Sequence, residues 1–81
     1  MNEDTVKRRV CDSIAEVLKV DAESITTESG PGNPPEWDSL GNVAIIQAVE
    51  ESFGVSFDIL DLMDVEMVQD LIDLTLEALG N

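Results

Sequence analysis

The sequence predicts an all-α protein in which three longer helices and one short helix surround a single aliphatic core. Apolar residues recur at helical spacings of three and four in three separate segments. All three prolines fall between the first two of these segments, where a helix cannot continue. Of the 81 residues, 43% are hydrophobic and only 4% are aromatic. A chain of this length forms one domain, residues 1–81, with a small core.

The first helix is predicted over residues 4–19. Its apolar stripe recurs every three or four positions and comprises Val6, Val10, Ile14, Val17 and Leu18. We expect Asp4 or Thr5 to cap its start and Cys11 to lie half-buried beside the stripe.

A long connection follows over residues 20–38. Residues 21–24 can form a single capped turn that directs Ile25 inward. The stretch from Thr26 to Glu36 contains Pro31, Pro34 and Pro35 and is therefore predicted as loop. It is long enough to run the length of a helix, so the helices that it joins need not form a tight hairpin.

The second helix is predicted over residues 39–53, with Asp38 or Ser39 as its cap and Gly54 at its end. One face should enter the core and comprises Ile45, Ile46, Val49 and Phe53. A second apolar face lies about half a turn away and comprises Leu40, Val43, Ala44 and Gln47. An ordinary surface helix has one such face. Either this helix is central, or its second face meets something else.

The last part of the chain is predicted as a short link, a brief helical turn and a final helix. The link spans residues 55–57, and Asp58 caps the turn that contains Ile59, Leu60, Leu62 and Met63. The final helix is predicted over residues 65–79, with a stripe that comprises Val68, Leu71, Ile72, Thr75 and Leu79.

The charge is strongly asymmetric. The chain carries 18 acidic and four basic residues, a formal charge of −14 at pH 7. All four bases lie in the first 19 residues, whereas residues 20–81 contain 14 acids and no base. Nucleic acids and anionic membranes would repel this chain, so we expect neither as a partner. Basic protein surfaces would be attracted to it.

The absence of histidine excludes several kinds of chemistry. Neither a Ser-His-Asp nor a Cys-His catalytic set can form, and a zinc site cannot be built from Cys11 alone. We therefore expect no enzyme, no catalytic residues and no metal site. One cysteine cannot form an internal disulfide, which fits the reducing cytoplasm. No apolar run approaches the ~20 residues of a membrane span.

An acidic cluster raises a calcium-binding helical protein as an alternative. It consists of Asp58, Asp61, Asp64 and Glu66. An EF-hand loop needs ligands at alternate positions and a central glycine, whereas these aspartates are spaced by three and no glycine lies among them. Such a protein would show a stoichiometric calcium transition.

The most informative segment runs from Trp37 to Gly41, where Ser39 begins a helix directly after the Pro- and Gly-rich loop. Serine at such a position is most often only a cap. With no base beside it, it cannot be an activated nucleophile of its own, but another enzyme can modify it. A phosphodiester there would lie at the positive end of the helix dipole.

This arrangement resembles the acyl carrier protein family. Asp38-Ser39-Leu40 is similar to the family's 4′-phosphopantetheine attachment motif. The resemblance covers nearly the whole chain: its size, helix order, long first loop and short acidic third helix. It includes Phe53-Gly54-Val55 at the end of the second helix and Val68-Gln69-Asp70 at the entry to the last. It implies a four-helix bundle.

The resemblance also implies a function. A phosphopantetheinyl transferase would attach the arm from coenzyme A to Ser39, between Asp38 and Leu40. A loading enzyme would place an acyl or aminoacyl group on the arm's thiol, and synthases or transferases with basic patches would receive it. Their docking surface on the second helix would comprise Leu40, Val43, Ala44, Gln47, Glu50 and Glu51. Candidates to line a space for cargo are Ile46, Phe57, Leu62 and Met63. We expect the carrier to be a monomer.

Three features depart from the family's pattern. Fatty-acid carriers often have aspartate where this chain has Gly41 and typically an acid where it has Ala44. The loop carries Pro34-Pro35-Glu36-Trp37 in place of the leucine-glycine lead-in common in polyketide and fatty-acid carriers. These departures favour a specialised pathway: polyketide-like, surface-glycan or lipid modification, or aminoacyl transfer of the D-alanyl type. The alternative from another class is a small acidic protein-interaction module in which Ser39 is only a helix cap.

Overall fold

The computed structural model describes residues 2–80 and confirms the predicted all-α fold. Four α-helices and no β-strand occur in this range. They are α1 (Glu3–Leu18), α2 (Ser39–Phe53), α3 (Ile59–Leu62) and α4 (Val68–Ala78). A short 3-10 helix, Ala22–Ser24, follows α1 and leaves Ile25 buried, as predicted. No helix in residues 2–80 combines the length and apolar character needed to cross a membrane.

The start of α1 differs from the sequence-based expectation. Asn2 is the cap, and its side-chain oxygen accepts a hydrogen bond from the Thr5 backbone N–H at 2.8 Å. The expectation of Asp4 or Thr5 was wrong because the helix begins at Glu3, which places both inside its first turn. Asparagine is as good a cap as aspartate, and it leaves the two acids, Glu3 and Asp4, at the positive end of the helix.

The core lies where α1 packs against both α2 and α4. Its fully buried helix residues all belong to the predicted stripes: Val6, Val10, Ile14, Ile45, Val49, Val68, Leu71, Ile72 and Thr75. The stripe residues Val17, Ile46, Phe53 and Leu79 are partly buried and pack against this core. Thr75 is accommodated because its hydroxyl donates to the Leu71 carbonyl at 2.8 Å. Cys11 is more buried than expected. The central helix is therefore α1, and the second apolar face of α2 is not part of this core.

Arg9 ties the middle of α1 to the end of α2. Its Nη2 donates to the backbone carbonyl of Ser52 and, at 3.0 Å, to the Ser52 hydroxyl. The guanidinium also lies over the Phe53 ring, 4.5 Å from the centroid. A cation here faces the negative end of the α2 dipole. At the other end of the pair Leu18 lies beside Gly41, so α1 and α2 run antiparallel.

The loop between α1 and α2 provides the hydrogen-bond acceptors at the start of α4. The cap residue, Met67, makes no side-chain capping bond. Instead the Val68 and Gln69 N–H groups donate to the carbonyls of Ser29 and Thr27 at 2.8 and 2.9 Å. The backbone of Met67 is extended, and an extended residue cannot lie within a helix. For this reason α4 begins at residue 68 and not at residue 65 as predicted.

Gly30 allows this contact to be close. A Cβ at residue 30 would collide with the backbone carbonyl of Glu66, so a residue with a side chain would push the loop away from α4. The loop thus leaves α1, reaches the start of α4 and returns to α2, whose first turn lies beside the end of α1.

The link between α2 and α3 is held by Glu50. One of its carboxylate oxygens accepts a hydrogen bond from the Phe57 backbone N–H at 2.8 Å. Phe57 itself packs against the core. Gly54 ends α2 in the left-handed conformation (φ 67°), as the sequence predicts. The glycine turn and the Glu50 contact together set the direction in which the chain enters α3.

Arg9→Ala should lower the free energy of unfolding by about 1–3 kcal/mol, because it removes charge-assisted hydrogen bonds and the contact with the Phe53 ring. The matched control is Arg8→Ala, which removes the same charge from an exposed neighbour and should cost less than about 0.5 kcal/mol. Urea unfolding measures both. Equal losses in the two variants would assign the effect to net charge and contradict the role given to the Ser52 and Phe53 contacts.

Glu50→Ala should destabilise the protein by about 1–2 kcal/mol, because the part-buried Phe57 backbone N–H loses its hydrogen-bond acceptor. Glu50→Gln should stay close to the parent, since an amide oxygen still accepts from the Phe57 N–H. Glu51→Ala removes the same charge from an exposed position and should change little. Thermal melts compare the three, and a Gln variant as unstable as the Ala variant would contradict the role of this hydrogen bond.

Candidate functional site

Ser39 is the first residue of α2 and its side chain is exposed. Asp38 is the cap: its Oδ1 accepts from the Gly41 N–H at 2.6 Å, and its carbonyl accepts from the Asn42 N–H at 2.8 Å. Either residue could have been the cap on sequence grounds, and the structure assigns the role to Asp38. Within residues 2–80 no hydrogen bond engages the Ser39 hydroxyl. The Ser39 hydroxyl is therefore exposed and unengaged in this range, and Ser39 is not the cap of α2.

Gly41 fits the first turn of α2 closely. A Cβ there would lie 3.1 Å from the Asp38 Oδ1 and 3.3 Å from the Leu18 Cδ2. An aspartate at this position would also bring a second negative charge to the Asp38 cap. Glycine costs some helix propensity, but here it lets the cap carboxylate and the end of α1 approach the helix.

Trp37 anchors the segment that presents Ser39. Its side chain is only 1% exposed, and its indole Nε1–H donates to the Asn42 Oδ1 at 2.9 Å. Its backbone N–H donates to the Pro34 carbonyl at 3.0 Å, and its carbonyl accepts from the Gly32 N–H at 2.8 Å. Sequence reasoning missed Trp37 as a core residue. The available signal was that it is the one Trp of a small domain, too large an apolar side chain to leave in solvent.

A concave surface lies directly beside the serine. It encloses about 510 Å³ and is lined by Pro31, Gly32, Trp37, Asp38, Ser39 and Asn42. The loop forms one wall and the first turn of α2 forms the other. A group attached to the serine hydroxyl would have room on this side.

The predicted docking residues lie on one exposed face of α2, with one partial exception. Leu40 is 82% exposed and Val43 is 56% exposed, and Ala44, Gln47 and Glu51 are also exposed. Glu50 is half-buried, since one of its oxygens holds the Phe57 N–H. The second apolar face of α2 is thus on the surface and not in the core.

The short helix α3 extends this apolar surface, which the sequence did not indicate. Ile59, Leu60 and Met63 are each at least 68% exposed, and no residue of α3 is buried. Asp58 caps the helix as predicted, with its Oδ1 accepting from the Leu60 N–H at 3.1 Å. Large apolar side chains flanked by acids are typical of a protein-interaction surface.

A smaller, mainly apolar cavity lies between α2 and α3. It encloses about 270 Å³ and is lined by Asn42, Val43, Ile46, Gln47, Ile59, Leu62 and Val65. Two of the four residues predicted to line a cargo space, Ile46 and Leu62, are among them. The other two do not line this cavity: Phe57 packs against the core, as Ile46 also does, and Met63 is 75% exposed.

The remaining candidates for chemistry are a thiol and the acidic cluster. Burial raises the pKa of the Cys11 thiol, which keeps it protonated and weakly nucleophilic. Across residues 2–80 no group of three acidic or other ligating side chains is placed to hold a metal ion. Ser39 is therefore the centre of the candidate site.

Comparison with known proteins supports the resemblance. No family model matches the chain. Among curated proteins it is similar to an acyl carrier protein of Thermosynechococcus vestitus, with 33% identity over 73 residues that cover 90% of each chain. Proteins of that family are carriers without catalytic activity of their own, and they generally bear phosphopantetheine on a serine. The identity, its extent and the four-helix fold establish that this chain belongs to the acyl carrier protein family.

Proposed function

We propose that this chain carries acyl groups as thioesters on a 4′-phosphopantetheine arm attached to Ser39 and delivers them to partner enzymes. The observation that carries the proposal is the exposed Ser39 hydroxyl, which Asp38 leaves unengaged by capping α2 itself. As a member of its family the chain is a carrier and not an enzyme. The arm, when attached, supplies the thiol that forms the thioester.

Attachment needs a separate transferase, because the chain has no histidine and no side chain within residues 2–80 accepts a hydrogen bond from the Ser39 hydroxyl. The serine oxygen would bond to the coenzyme A phosphorus that bears pantetheine. The diphosphate bond would break, adenosine bisphosphate would leave, and the hydroxyl proton would pass to a base of the transferase. The carrier contributes position: Trp37 and Asp38 hold the serine at an exposed helix start.

The cavity between α2 and α3 supports an acyl cargo over an aminoacyl one. Its lining has five apolar side chains and two neutral amides, Asn42 and Gln47, and no charged group. An aliphatic chain gains free energy on entering such a space, whereas a bare ammonium group would lose its hydration without a compensating partner. Residues of the short α3 form one wall.

The exposed face of α2 and α3 fits a basic partner. Leu40, Val43 and Ile59 offer apolar area. Exposed acids lie on or beside the same two helices at Glu51, Asp58 and Asp61, and residues 20–81 contain no base. A partner with an apolar patch ringed by Lys and Arg would match this surface in both respects. Phosphopantetheinyl transferase, loading enzyme and receiving synthase or transferase would all meet the carrier here.

We further propose a specialised pathway in place of housekeeping fatty-acid synthesis. Ala44 supports this: it is exposed on the docking face, at a position where fatty-acid carriers typically offer a carboxylate. The lone, buried Cys11 fits a reducing cytoplasm, and residues 1–81 are proposed to act as a monomeric single domain.

Ser39→Ala should abolish modification without loss of stability. The parent, incubated with coenzyme A and a broad-range transferase, should gain one phosphopantetheine by intact mass, and the variant should gain none while melting within a few degrees of it. Ser56→Ala, at another exposed serine, is the control and should be modified like the parent. A parent that remains unmodified under a competent transferase would refute the proposal.

Leu62→Asn should weaken the protection of an acyl chain by placing an amide in the cavity. We expect an octanoyl group on the arm to raise the melting temperature of the parent, and this gain to fall by at least half in the variant. Leu60→Asn is the matched control, since Leu60 lies on the same helix with an exposed side chain outside the cavity. Equal gains in all three proteins, or an equal gain from an alanyl group, would count against an acyl cargo in this cavity.

A further inference from the structure

The hydrogen bond between Trp37 and Asn42 fixes the direction of an amide group beside Ser39. An indole N–H can only donate, so the Asn42 oxygen must face it, at 2.9 Å. The two N–H groups of the Asn42 Nδ2 therefore point away from Trp37. Because Trp37 is fully buried, it holds this orientation from inside the fold.

The Asn42 amide nitrogen is not used by the part of the chain that the structure describes. No acceptor in residues 2–80 takes a hydrogen bond from it. It is not sealed inside the protein either, since no buried side-chain nitrogen or oxygen in this range is left without a partner. A fixed donor that faces accessible space is available to a ligand.

The position of Asn42 relative to Ser39 indicates which ligand its amide nitrogen could bind. It follows Ser39 by three residues, so the two side chains lie on the same face of α2, one turn apart, with about 5–6 Å between their Cβ atoms. It also lines both the concave surface beside the serine and the apolar cavity between α2 and α3. Among the lining residues, Asn42 alone is shared by the two spaces.

We propose that the Asn42 Nδ2 donates a hydrogen bond to a phosphodiester oxygen of the arm on Ser39 and so turns the arm toward the cavity between α2 and α3. This rests on the proposed attachment at Ser39. The Gly41 N–H in the same turn is already taken by Asp38. A negative phosphate beside the Asp38 carboxylate needs a donor, and Asn42 supplies a neutral one already oriented. Trp37 is a positioning residue that acts through Asn42.

The test uses the protein that carries the arm and measures the ³¹P NMR chemical shift of the phosphodiester. Asn42→Asp keeps an oxygen for the indole N–H but replaces the donor with an oxygen. Its ³¹P chemical shift should move most of the way toward that of the urea-unfolded, arm-bearing protein. Gln47→Glu is the matched control, because it adds the same charge five residues further along α2 and lines the same cavity. It should leave the ³¹P shift close to the parent's.

Two further NMR measurements test the same contact. In the parent, the Asn42 side-chain amide protons should shift downfield on conversion from the unmodified to the arm-bearing form. In Trp37→Phe, which removes the indole donor, the ³¹P shift should move in the same direction as in Asn42→Asp. Identical ³¹P shifts in the parent and in Asn42→Asp, or equal movement in Asn42→Asp and Gln47→Glu, would overturn the inference. Intact mass shows separately whether the arm is attached, so a failure of attachment at Ser39 is distinguished from a failure of this contact.

Discussion

The start of α4 has no side-chain cap, and the loop between α1 and α2 supplies the missing acceptors. A helix start leaves backbone N–H groups that must find partners, and here the carbonyls of Thr27 and Ser29 provide them. This requirement fixes the loop against the bundle and is possible only because Gly30 has no side chain. With the loop fixed, Trp37 can be buried at its far end. The exposed position of Ser39 thus depends on hydrogen bonds made at the start of another helix.

Basic and acidic side chains are distributed unevenly along the chain. Three of the four basic residues lie on α1, where Arg9 holds the end of α2, and Lys19 directly follows that helix. Residues 20–81 contain 14 acids and no base, so the part of the chain that forms α2, α3 and α4 is strongly negative. Mutual repulsion there costs stability. In return, that part attracts basic proteins while its large apolar side chains stay accessible.

The sequence predicted those features that depend on local pattern. The stripes of α1, α2 and α4, the Asp58 cap and the Gly54 end all follow from spacing and capping preferences. Features that depend on distant partners were missed. The late start of α4 requires the loop carbonyls, and the orientation of Asn42 requires a buried Trp37. No single-sequence rule encodes these contacts, since each joins groups whose proximity exists only in the folded chain.

The proposed cargo cavity borders the core through Ile46 and Val65, but its other wall is α3, and this has a physical consequence. The fully buried side chains belong to α1, α2, α4 and Trp37, whereas α3 has none. A chain that enters between α2 and α3 would therefore displace few packed contacts, since dense packing is what makes a core resist change. The Glu50 contact with Phe57 holds the link to α2 directly before α3 begins. A domain this small has little stability to spare, so cargo is best placed where the fold can yield without opening its core.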